Sequence, residues 1–316
     1  MSGRTLAIVR AGLLTTVQDL GRWGHQASGV PVAGAMDTRA LRQANALVGN
    51  PPHAAALEVT LLGPTVRVTG PCVMAVAGAA FDVRLAGRVV PHGRAFEVPD
   101  GAEVSVGRRA GESGARAYLA VDGGIDTVPV LGSRSTHLVS GMGGLDGRAL
   151  AAGDVLPVGA ALPRRGGEPP QVEPVGGPGG GGLRVLLGPQ DDWFSSQAIE
   201  RLLTSTFVVS PRSDRMGFRL EGPGIEPARA GELVSEPVGF GALQVPPGGA
   251  PILLMADRQT AGGYPKIATV IAADLPVAGQ LAPGDVVRFR ACTRADARAA
   301  LLAREREVLH ALTEVE

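Results

Sequence analysis

The stretch that decides the fold class is residues 81–106, which reads FDVRLAGRVVPHGRAFEVPDGAEVSV. Short apolar runs follow one another along it, and turn residues at 86–87 and 99–101 separate them. Short runs rich in Val and Phe, punctuated by Gly, Pro and Asp, are typical of β-strands joined by tight turns. This stretch therefore predicts consecutive β-strands.

The same pattern continues on both sides of this stretch. The predicted strands are 65–76, 81–90, 95–106, 116–121, 183–187, 207–210, 217–220, 242–245, 251–256, 267–272 and 286–292. Helical spacing is limited to three segments: 37–48, 193–204 and 293–315. The first begins at Asp37 and the last at Thr293, two residue types that cap helix N-termini. The sequence thus predicts a mainly β protein, a barrel or a sandwich, with few helices including one at the C-terminus.

Composition excludes several classes of protein. The chain has 46 glycines and 25 prolines among 316 residues, which breaks it too often for a helical bundle, a coiled coil or a solenoid. Thirty basic residues balance thirty acidic ones, so the basic surface of a nucleic-acid binder or of a polybasic membrane protein is missing. We therefore expect small molecules or proteins as partners, with no nucleic acid and no membrane.

Cysteine and histidine usage points to a cytoplasmic protein without a metal. Cys72 and Cys292 lie far apart in apolar surroundings, which favours buried thiols over a disulfide framework. No window reaches the ~20 apolar residues of a membrane span, and the N-terminus has no apolar stretch long enough for a signal peptide. The five histidines never fall within metal-ligand spacing, so no metal site is predicted.

Glycine and proline also mark a division of the chain. Residues 164–182 contain Gly-Gly-Glu-Pro-Pro and a run of glycines, which predicts a flexible linker between a domain at 1–163 and a domain at 183–316. Both halves end alike, with Leu-Ala-Ala-Gly-Asp-Val-Leu at 150–156 and Leu-Ala-Pro-Gly-Asp-Val-Val at 281–287. The repeat suggests a duplicated barrel unit.

Lysine usage restricts the chemistry. Of the thirty basic residues only Lys266 is a lysine. A Schiff base, a Walker A phosphate clamp, a biotin attachment site or an amidase Ser-Lys pair must therefore use Lys266 or be absent. The chain also lacks a Gly-x-Ser-x-Gly motif and any legible nucleotide-binding motif.

Two clusters of polar residues are candidates for ligand binding. Residues 15–37 contain Gln18 and Asp37 and are predicted to form a shaped loop that ends by capping a helix, with a purely structural role as the equal alternative. Residues 210–219 place three arginines, among them Arg215, around one aspartate. Such a run can bind a carboxylate or a phosphate bidentately, although surface ion pairing is its commoner fate.

The third cluster, residues 256–267, is the preferred site. It lies between two apolar runs and contains Asp257, Gln259, Lys266 and Tyr264, one of only two tyrosines. A solvent-facing hairpin tip is the alternative, but the coincidence of rare residue types favours a site. Lys266 is predicted to bind an anionic oxygen and Asp257 to act as a base or to orient an amide N–H, so both are candidate catalytic residues.

Several of these motifs together resemble one family. They are Thr-Thr-Val-Gln-Asp-Leu-Gly-Arg at 15–22, Gly-Val-Pro-x-x-Gly-Ala-Met-Asp at 29–37, Ala-Leu-x-Gly-Asn at 46–50, Ala-Leu-Glu-Val-Thr at 56–60, Val-Asp-Gly-Gly-Ile at 121–125, Leu-Gly-Ser-Arg-Ser-Thr at 131–136 and Gln-Thr-x-Gly-Gly-Tyr-Pro-Lys at 259–266. The ordered set is similar to the biotin-dependent carboxyltransferase family, also labelled allophanate hydrolase subunit 2. The resemblance implies two cyclophilin-like β-barrel domains.

The resemblance also implies a choice among functions. The Gly-Gly-Tyr-Pro-Lys form is similar to the stand-alone subunits of ATP-dependent 5-oxoprolinases, which open 5-oxoproline to L-glutamate with A-like and B-like (Kip-type) partner proteins. One alternative is a carboxyltransferase component of a urea carboxylase, and another is a regulatory protein that binds a kinase inhibitor. Glu236 and Pro237 depart from the His-Gly or Asp-Gly pair expected in the 5-oxoprolinase subfamily.

If the chain is such a 5-oxoprolinase subunit, the chemistry of ring opening gives each candidate residue an expected role. Lys266 and Arg215 neutralise a substrate carboxylate or a transferred phosphoryl group, Gln259 and Gln18 hydrogen-bond the lactam, and Asp257 orients or accepts a proton. Tyr264 and Asp37 are further expected substrate-binding residues. ATP is expected at the level of the complex, with no covalently attached biotin and no metal.

Overall fold

The structure is a computed structural model that describes residues 3–111, 114–163, 171–176, 181–229 and 233–313. The chain divides into two compact units. Unit 1 comprises Met1–Arg22, Ala33–Gly176 and Arg306–Glu316, and unit 2 comprises Trp23–Val32 and Gly177–Glu305. Most of the predicted linker at 164–182 lies outside the described residues, so the domain borders at 163 and 183 stay a prediction.

Unit 1 is built from two antiparallel sheets. Its strands are β1 (Thr5–Arg10), β2 (Leu14–Gln18), β3 (Ala56–Thr60), β4 (Thr65–Thr69), β5 (Cys72–Gly78), β6 (Phe81–Leu85), β7 (Arg88–Val89), β8 (Ala95–Val98), β9 (Glu103–Arg109), β10 (Arg116–Val121) and β11 (Val155–Pro157). One sheet has the order β11-β1-β4-β9-β6-β7 and the other the order β2-β3-β10-β5-β8. Alternating residues of these strands form one apolar core that includes Leu6, Ile8, Val66, Val68, Val83 and Val104.

A helix covers the second sheet of unit 1. Helix α1 (Thr38–Leu47) packs against β5 and β10. The helix and the sheet share a cluster of buried apolar side chains. The sheet contributes the small residues Ala75, Ala77 and Ala120 to it, and the helix contributes Leu41 and Leu47. Small side chains on the sheet let the helix backbone approach closely, which explains the Ala-rich sequences of both elements.

Unit 2 contains one eight-stranded sheet and a two-stranded one. The strands of the larger sheet are β12 (Leu183–Leu187), β13 (Phe207–Val209), β14 (Gly217–Glu221), β16 (Ala242–Gln244), β17 (Ile252–Leu254), β19 (Lys266–Val270), β20 (Val286–Val287) and β21 (Phe289–Ala291). Strands β15 (Glu236–Pro237) and β18 (Ala261–Gly262) form the smaller, antiparallel sheet. The helices are α2 (Ser196–Thr204), α3 (Leu275–Ala278) and α4 (Arg294–Thr313), the last of which extends into the residues of unit 1.

The order of the larger sheet shows that it is a nearly closed barrel. The order is β20-β13-β14-β17-β16-β19-β12-β21, so β20 and β21 form its two edges. Only Arg288 separates these two strands in the chain, which brings the two edges of the sheet close together. A sheet whose edges meet in this way curves into a barrel. The prediction of a mainly β fold with barrel sheets and a C-terminal helix is therefore confirmed.

Most predicted elements are present, with shifted boundaries. The runs at 81–90 and 95–106 divide at the predicted turns into β6 with β7 and β8 with β9. Helix α2 begins at Ser196 rather than at 193, because Ser195 accepts the capping hydrogen bond from Ala198 N at 3.1 Å and residues 191–193 form a 3-10 turn. Six strands lie outside the predicted runs: β1, β2, β3, β11, β15 and β18.

One prediction about the N-terminal region was wrong. Residues 15–18 do not begin a loop, since Leu14–Gln18 is strand β2, paired along its length with β3. Thr15, Thr16 and Gln18 are all buried there. These polar residues interrupt the apolar run by which a strand is predicted. They can be buried because their side chains form hydrogen bonds inside unit 1 instead of facing water.

Neither a membrane-spanning helix nor a metal-binding cluster occurs among the described residues. Their helices lack the length and apolar character needed to cross a membrane. Within the same part of the chain, no group of three or more His, Cys, Asp and Glu side chains is arranged to hold a metal ion.

Candidate functional site

Residues 256–267, the preferred site, connect two strands of the larger sheet of unit 2. Strand β17 ends at Leu254, and the chain then passes through Asp257 and Gln259 to the short strand β18 before Lys266 opens β19. Asp257 and Lys266 are 2% and 3% exposed, whereas Tyr264 is 45% exposed. The polar residues therefore lie beside a buried sheet and not at a solvent-facing hairpin tip.

Lys266 is bound by a carboxylate and an amide from two other segments. Its Nζ donates to Oε1 of Glu236, which lies on β15. Nε2 of Gln190 donates to the same oxygen at 2.6 Å, while Gln190 Oε1 accepts from the Lys266 backbone N–H at 3.1 Å. Two donors thus converge on one carboxylate oxygen, an arrangement that binds an anion tightly.

The Glu236 carboxyl is ionised more readily than a free one. The hydrogen bond from Lys266 is the largest reason that the pKa of Glu236 lies below its ordinary value; burial opposes this shift, and the hydrogen bond from Gln190 adds to it. The Glu236 side chain is 38% exposed, in contrast to 4% for Lys266. The pair therefore has one end in the interior and one at the surface.

Two glutamines that bind each other lie near Lys266: Gln244 on the neighbouring strand β16, and Gln259 in the segment between β17 and β18. Gln244 of β16 is the register partner of Lys266, at a point where the register of the two strands shifts. Its Oε1 accepts a hydrogen bond from Gln259 Nε2 at 3.3 Å, and its buried Nε2 has no hydrogen-bond partner among the described residues. A Cβ added at Gly262 would lie 2.7 Å from Gln244 Nε2 and 3.2 Å from Gln259 Nε2, so glycine there leaves room for both amides.

Arg215 and Asp257 bind each other. Arg215 Nε and Nη2 donate to Oδ2 and Oδ1 of Asp257, both at 3.1 Å, and the Asp257 backbone N–H donates to Arg215 O at 2.8 Å. Their side chains are 4% and 1% exposed. The arrangement connects the loop before β14 to the loop after β17, so in this structure the pair has a positioning role. Direct binding of substrate by Arg215, and proton transfer by Asp257, stay predictions.

The two remaining predicted residues belong to unit 1. Gln18 is fully buried and donates from Nε2 to Thr16 Oγ1 and to Thr136 O, both at 3.0 Å. Asp37 Oδ1 accepts from Ala40 N at 2.9 Å, which caps α1. The Asp37 backbone N–H donates to the hydroxyl of Tyr118 at 2.8 Å. Their predicted part in substrate binding stays a prediction.

Sequence reasoning did not identify all residues around Lys266. In the sequence, Glu236 stands out only as a departure from an expected motif, and neither Gln190 nor Gln244 belongs to a predicted cluster. Gln190 lies 76 residues before Lys266 in the chain, and no local pattern marks it. For Gln244 the signal was a polar residue at the end of an apolar strand, which could have been recognised.

Comparison with known proteins gives the same family from sequence and from structure. The family model described as "Carboxyltransferase domain, subdomain A and B" matches residues 28–291. The chain is 41% identical over 292 residues to the C subunit of the 5-oxoprolinase of Escherichia coli (strain K12), covering 92% of this chain and 93% of that protein. It is 36% identical over 296 residues to the protein of the same name from Haemophilus influenzae, covering 93% and 92%.

A solved structure agrees with these relatives. The crystal structure of the K. lactis urea amidolyase matches with a TM-score of 0.86 at 31% identity, over 97% of this chain and 20% of that chain. This chain thus spans about a fifth of the amidolyase's length. Since the family model matches most of the chain, and the two bacterial relatives align almost end to end, the chain belongs to the carboxyltransferase-domain family of subdomains A and B.

Proposed function

We propose that this chain is the C subunit of an ATP-dependent 5-oxoprolinase, which opens 5-oxoproline to L-glutamate together with an A-like and a B-like partner protein. The observation that carries the proposal is the nearly full-length similarity to two proteins named as the C subunit of a 5-oxoprolinase. A match over 93% of a free-standing subunit favours this assignment over one domain of a larger enzyme. A cytoplasmic location agrees with a reaction that consumes ATP.

The chemistry explains why ATP is needed. An unstrained five-membered lactam is a poor electrophile, because its nitrogen donates electron density to the carbonyl carbon. Transfer of the γ-phosphoryl group to the lactam oxygen releases ADP and makes that carbon reactive towards water. After one water has added, the ring C–N bond breaks and the nitrogen takes a proton, which leaves an acyl phosphate. A second water then cleaves this acyl phosphate to the new carboxylate and free phosphate. The charge that develops on oxygen needs fixed cationic and N–H donors nearby.

Lys266 and its neighbours supply such donors. Lys266 Nζ and Gln190 Nε2 already converge on one anionic oxygen, that of Glu236. A substrate carboxylate or phosphoryl oxygen that displaced Glu236 would find both donors in place. The amides of Gln259 and Gln244 are the matching partners for the lactam N–H and C=O, and Asp257 lies in the same segment as a candidate base. No lysine remains for a biotin attachment, so the chain's own residues act without a bound biotin.

The test is 5-oxoproline-dependent ATP turnover by the assembled subunits. We expect turnover to disappear when this subunit is omitted, and to fall by a factor of about 10² or more in Lys266→Met, since one fixed donor to a developing oxyanion contributes about that much. Arg290→Met, which removes an exposed cation from β21 of the same unit, is the matched control and should leave the rate unchanged. Full turnover without this subunit would overturn the proposal.

The match to the urea amidolyase supports one alternative. As a carboxyltransferase component, the chain would move CO₂ from carboxybiotin on another protein to urea or a similar amide, with Lys266 binding the carboxylate. Adding a biotinylated carrier protein, biotin carboxylase, bicarbonate and urea to the purified chain distinguishes the two functions. Carboxylation of urea that is lost in Lys266→Met would favour the alternative.

A further inference from the structure

Arg258 is a buried cation with few partners. It is 7% exposed, and its guanidinium lies 5.4 Å from the centre of the Phe240 ring. Nε and Nη1 donate to the carbonyl oxygens of Val238 and Met255, both at 3.4 Å, which is long for such bonds. The nearest carboxylate in sequence, that of Asp257, uses both oxygens to bind Arg215.

Burial without a carboxylate partner is costly for this side chain. Burial lowers the pKa of Arg258 to about 10, and the charge of Asp257 opposes this shift only in part. The guanidinium is still protonated at neutral pH. Buried charges in proteins are normally paired, so an anionic ligand beside Arg258 would offset the cost of burying this one.

A cavity lies against Arg258. Its volume is about 120 Å³, and besides Arg258 it is lined by Gln26, Val32, Pro237, Val238, Gln259 and Thr260, all in unit 2. A cavity of about 150 Å³ in another protein holds benzene, so this slightly smaller one has room for a compact group such as a carboxylate with the carbon atoms next to it. Nucleotides need pockets of several hundred Å³, which excludes ATP as the occupant.

We infer that this cavity binds a small organic acid, with Arg258 donating to its carboxylate. A carboxylate offers two coplanar oxygens that match the guanidinium group, and it would supply the missing anion. Val32, Pro237 and Val238 provide apolar surface for the methylene groups of such an acid, and Gln259 and Thr260 provide polar groups for an amide.

The identity of the acid rests on the proposed function. 5-Oxoproline has the required features, since it joins one carboxylate to a small lactam ring. Pro237 and Val238 continue the chain directly from Glu236, which binds Lys266. The inferred carboxylate site and the donors at Lys266 are therefore connected by a single short segment. Arg258 then replaces Arg215 as the expected partner of the substrate carboxylate.

The experiment is calorimetric titration of the full chain with 5-oxoproline, with 2-pyrrolidinone, which has the same ring without the carboxylate, and with cyclopentanecarboxylate, which has the carboxylate without the lactam. We expect both acids to bind the wild type and 2-pyrrolidinone to bind at least about thirtyfold more weakly than 5-oxoproline. Arg258→Met should weaken both acids by the same factor and leave 2-pyrrolidinone unaffected, whereas Arg290→Met, which removes an exposed cation from β21, should change nothing.

The unfolding free energy of Arg258→Met separates binding from a structural role. Replacing a buried, unpaired charge by an apolar side chain of similar length should leave stability unchanged or raise it. If this variant does not fold, Arg258→Lys keeps the charge but loses the bidentate geometry, and the comparison of ligands on the wild type needs no variant. Equal binding of 5-oxoproline by wild type and Arg258→Met, or no binding of either acid by the wild type, overturns the inference.

Failure of the proposed function can be distinguished from failure of the carboxylate site at Arg258. If cyclopentanecarboxylate binds in an Arg258-dependent way but the assembled subunits show no 5-oxoproline-dependent ATP turnover, the carboxylate site stands and the assigned reaction fails. If the assembled subunits are active and Arg258→Met has an unchanged KM for 5-oxoproline, the reaction stands and the carboxylate site fails.

Discussion

At the scale of single residues, the Glu236–Lys266 pair should make stability depend on pH. The lowered pKa of Glu236 means that the folded state favours the ionised carboxyl, so the pair stabilises the protein above the ordinary carboxyl pKa of 4.5 and loses this effect as the pH falls through the folded value. Because the Glu236 side chain is 38% exposed, water screens the interaction and about 1 kcal/mol is expected.

Glu236→Gln tests this dependence. Urea denaturation at pH 7 should show the variant to be less stable by that amount, and the difference should shrink towards zero at pH values well below 4.5, where the wild-type carboxyl also becomes neutral. A difference that stays constant across this range would mean that the charge of Glu236 does not stabilise the pair.

The buried pair of Arg215 and Asp257 should behave differently. Removing one partner leaves an uncompensated buried charge, so Asp257→Ala should lower the unfolding free energy by about 3–5 kcal/mol. The double variant Arg215→Met with Asp257→Leu should recover most of this loss. Arg67→Ala, which breaks an exposed ion pair with Glu103, is the control and should cost less than about 1 kcal/mol. A double variant as unstable as Asp257→Ala would refute the pairing argument.

At the scale of elements, sequence pattern predicted the apolar strands that turn residues separate, and it failed where polar residues are buried. The turns at 86–87 and 99–101 divide the strands as expected, because Gly, Pro and Asp adopt turn conformations irrespective of what packs around them. Strand β2 was missed because Thr15, Thr16 and Gln18 satisfy their hydrogen bonds inside unit 1. Only the folded chain supplies those partners.

The start of α1 allows a test of the predicted role of Asp37. Its Oδ1 accepts from Ala40 N at 2.9 Å, and removal of such a cap costs about 1 kcal/mol. Asp37→Ala should therefore lower the unfolding free energy by about that amount, whereas Asp37→Asn keeps an acceptor oxygen and should cost less. If Asp37 also binds substrate, Asp37→Asn should lower the activity of the assembled subunits while its stability stays close to wild type; unchanged activity would leave capping as its role.

At the scale of the whole molecule, the candidate site was predictable in its centre but not in its surroundings. The segment from Asp257 to Lys266 could be chosen because rare residue types coincide there in sequence. Glu236 and Gln190, which bind Lys266, come from segments 30 and 76 residues away. Contacts across such distances depend on how the strands of the barrel are ordered, and a single sequence contains no local pattern for that order. The cavity at Arg258 was missed for the same reason.

Because the chain has a single lysine, the folded state can be probed by the reactivity of one side-chain amine, Lys266 Nζ. Apart from the α-amino group, only Lys266 can react with an amine-selective acylating reagent, and it is 3% exposed with its Nζ bound to Glu236. In native buffer we expect mass spectrometry to find the α-amino adduct alone, and in denaturing urea to find a second adduct on Lys266. Glu236→Gln should accelerate the native reaction, because Nζ loses its ionic partner, while Arg290→Met should not. Rapid acylation of Lys266 in the native wild type would show that its Nζ is accessible to solvent, and would contradict the buried anion site on which the proposed chemistry depends.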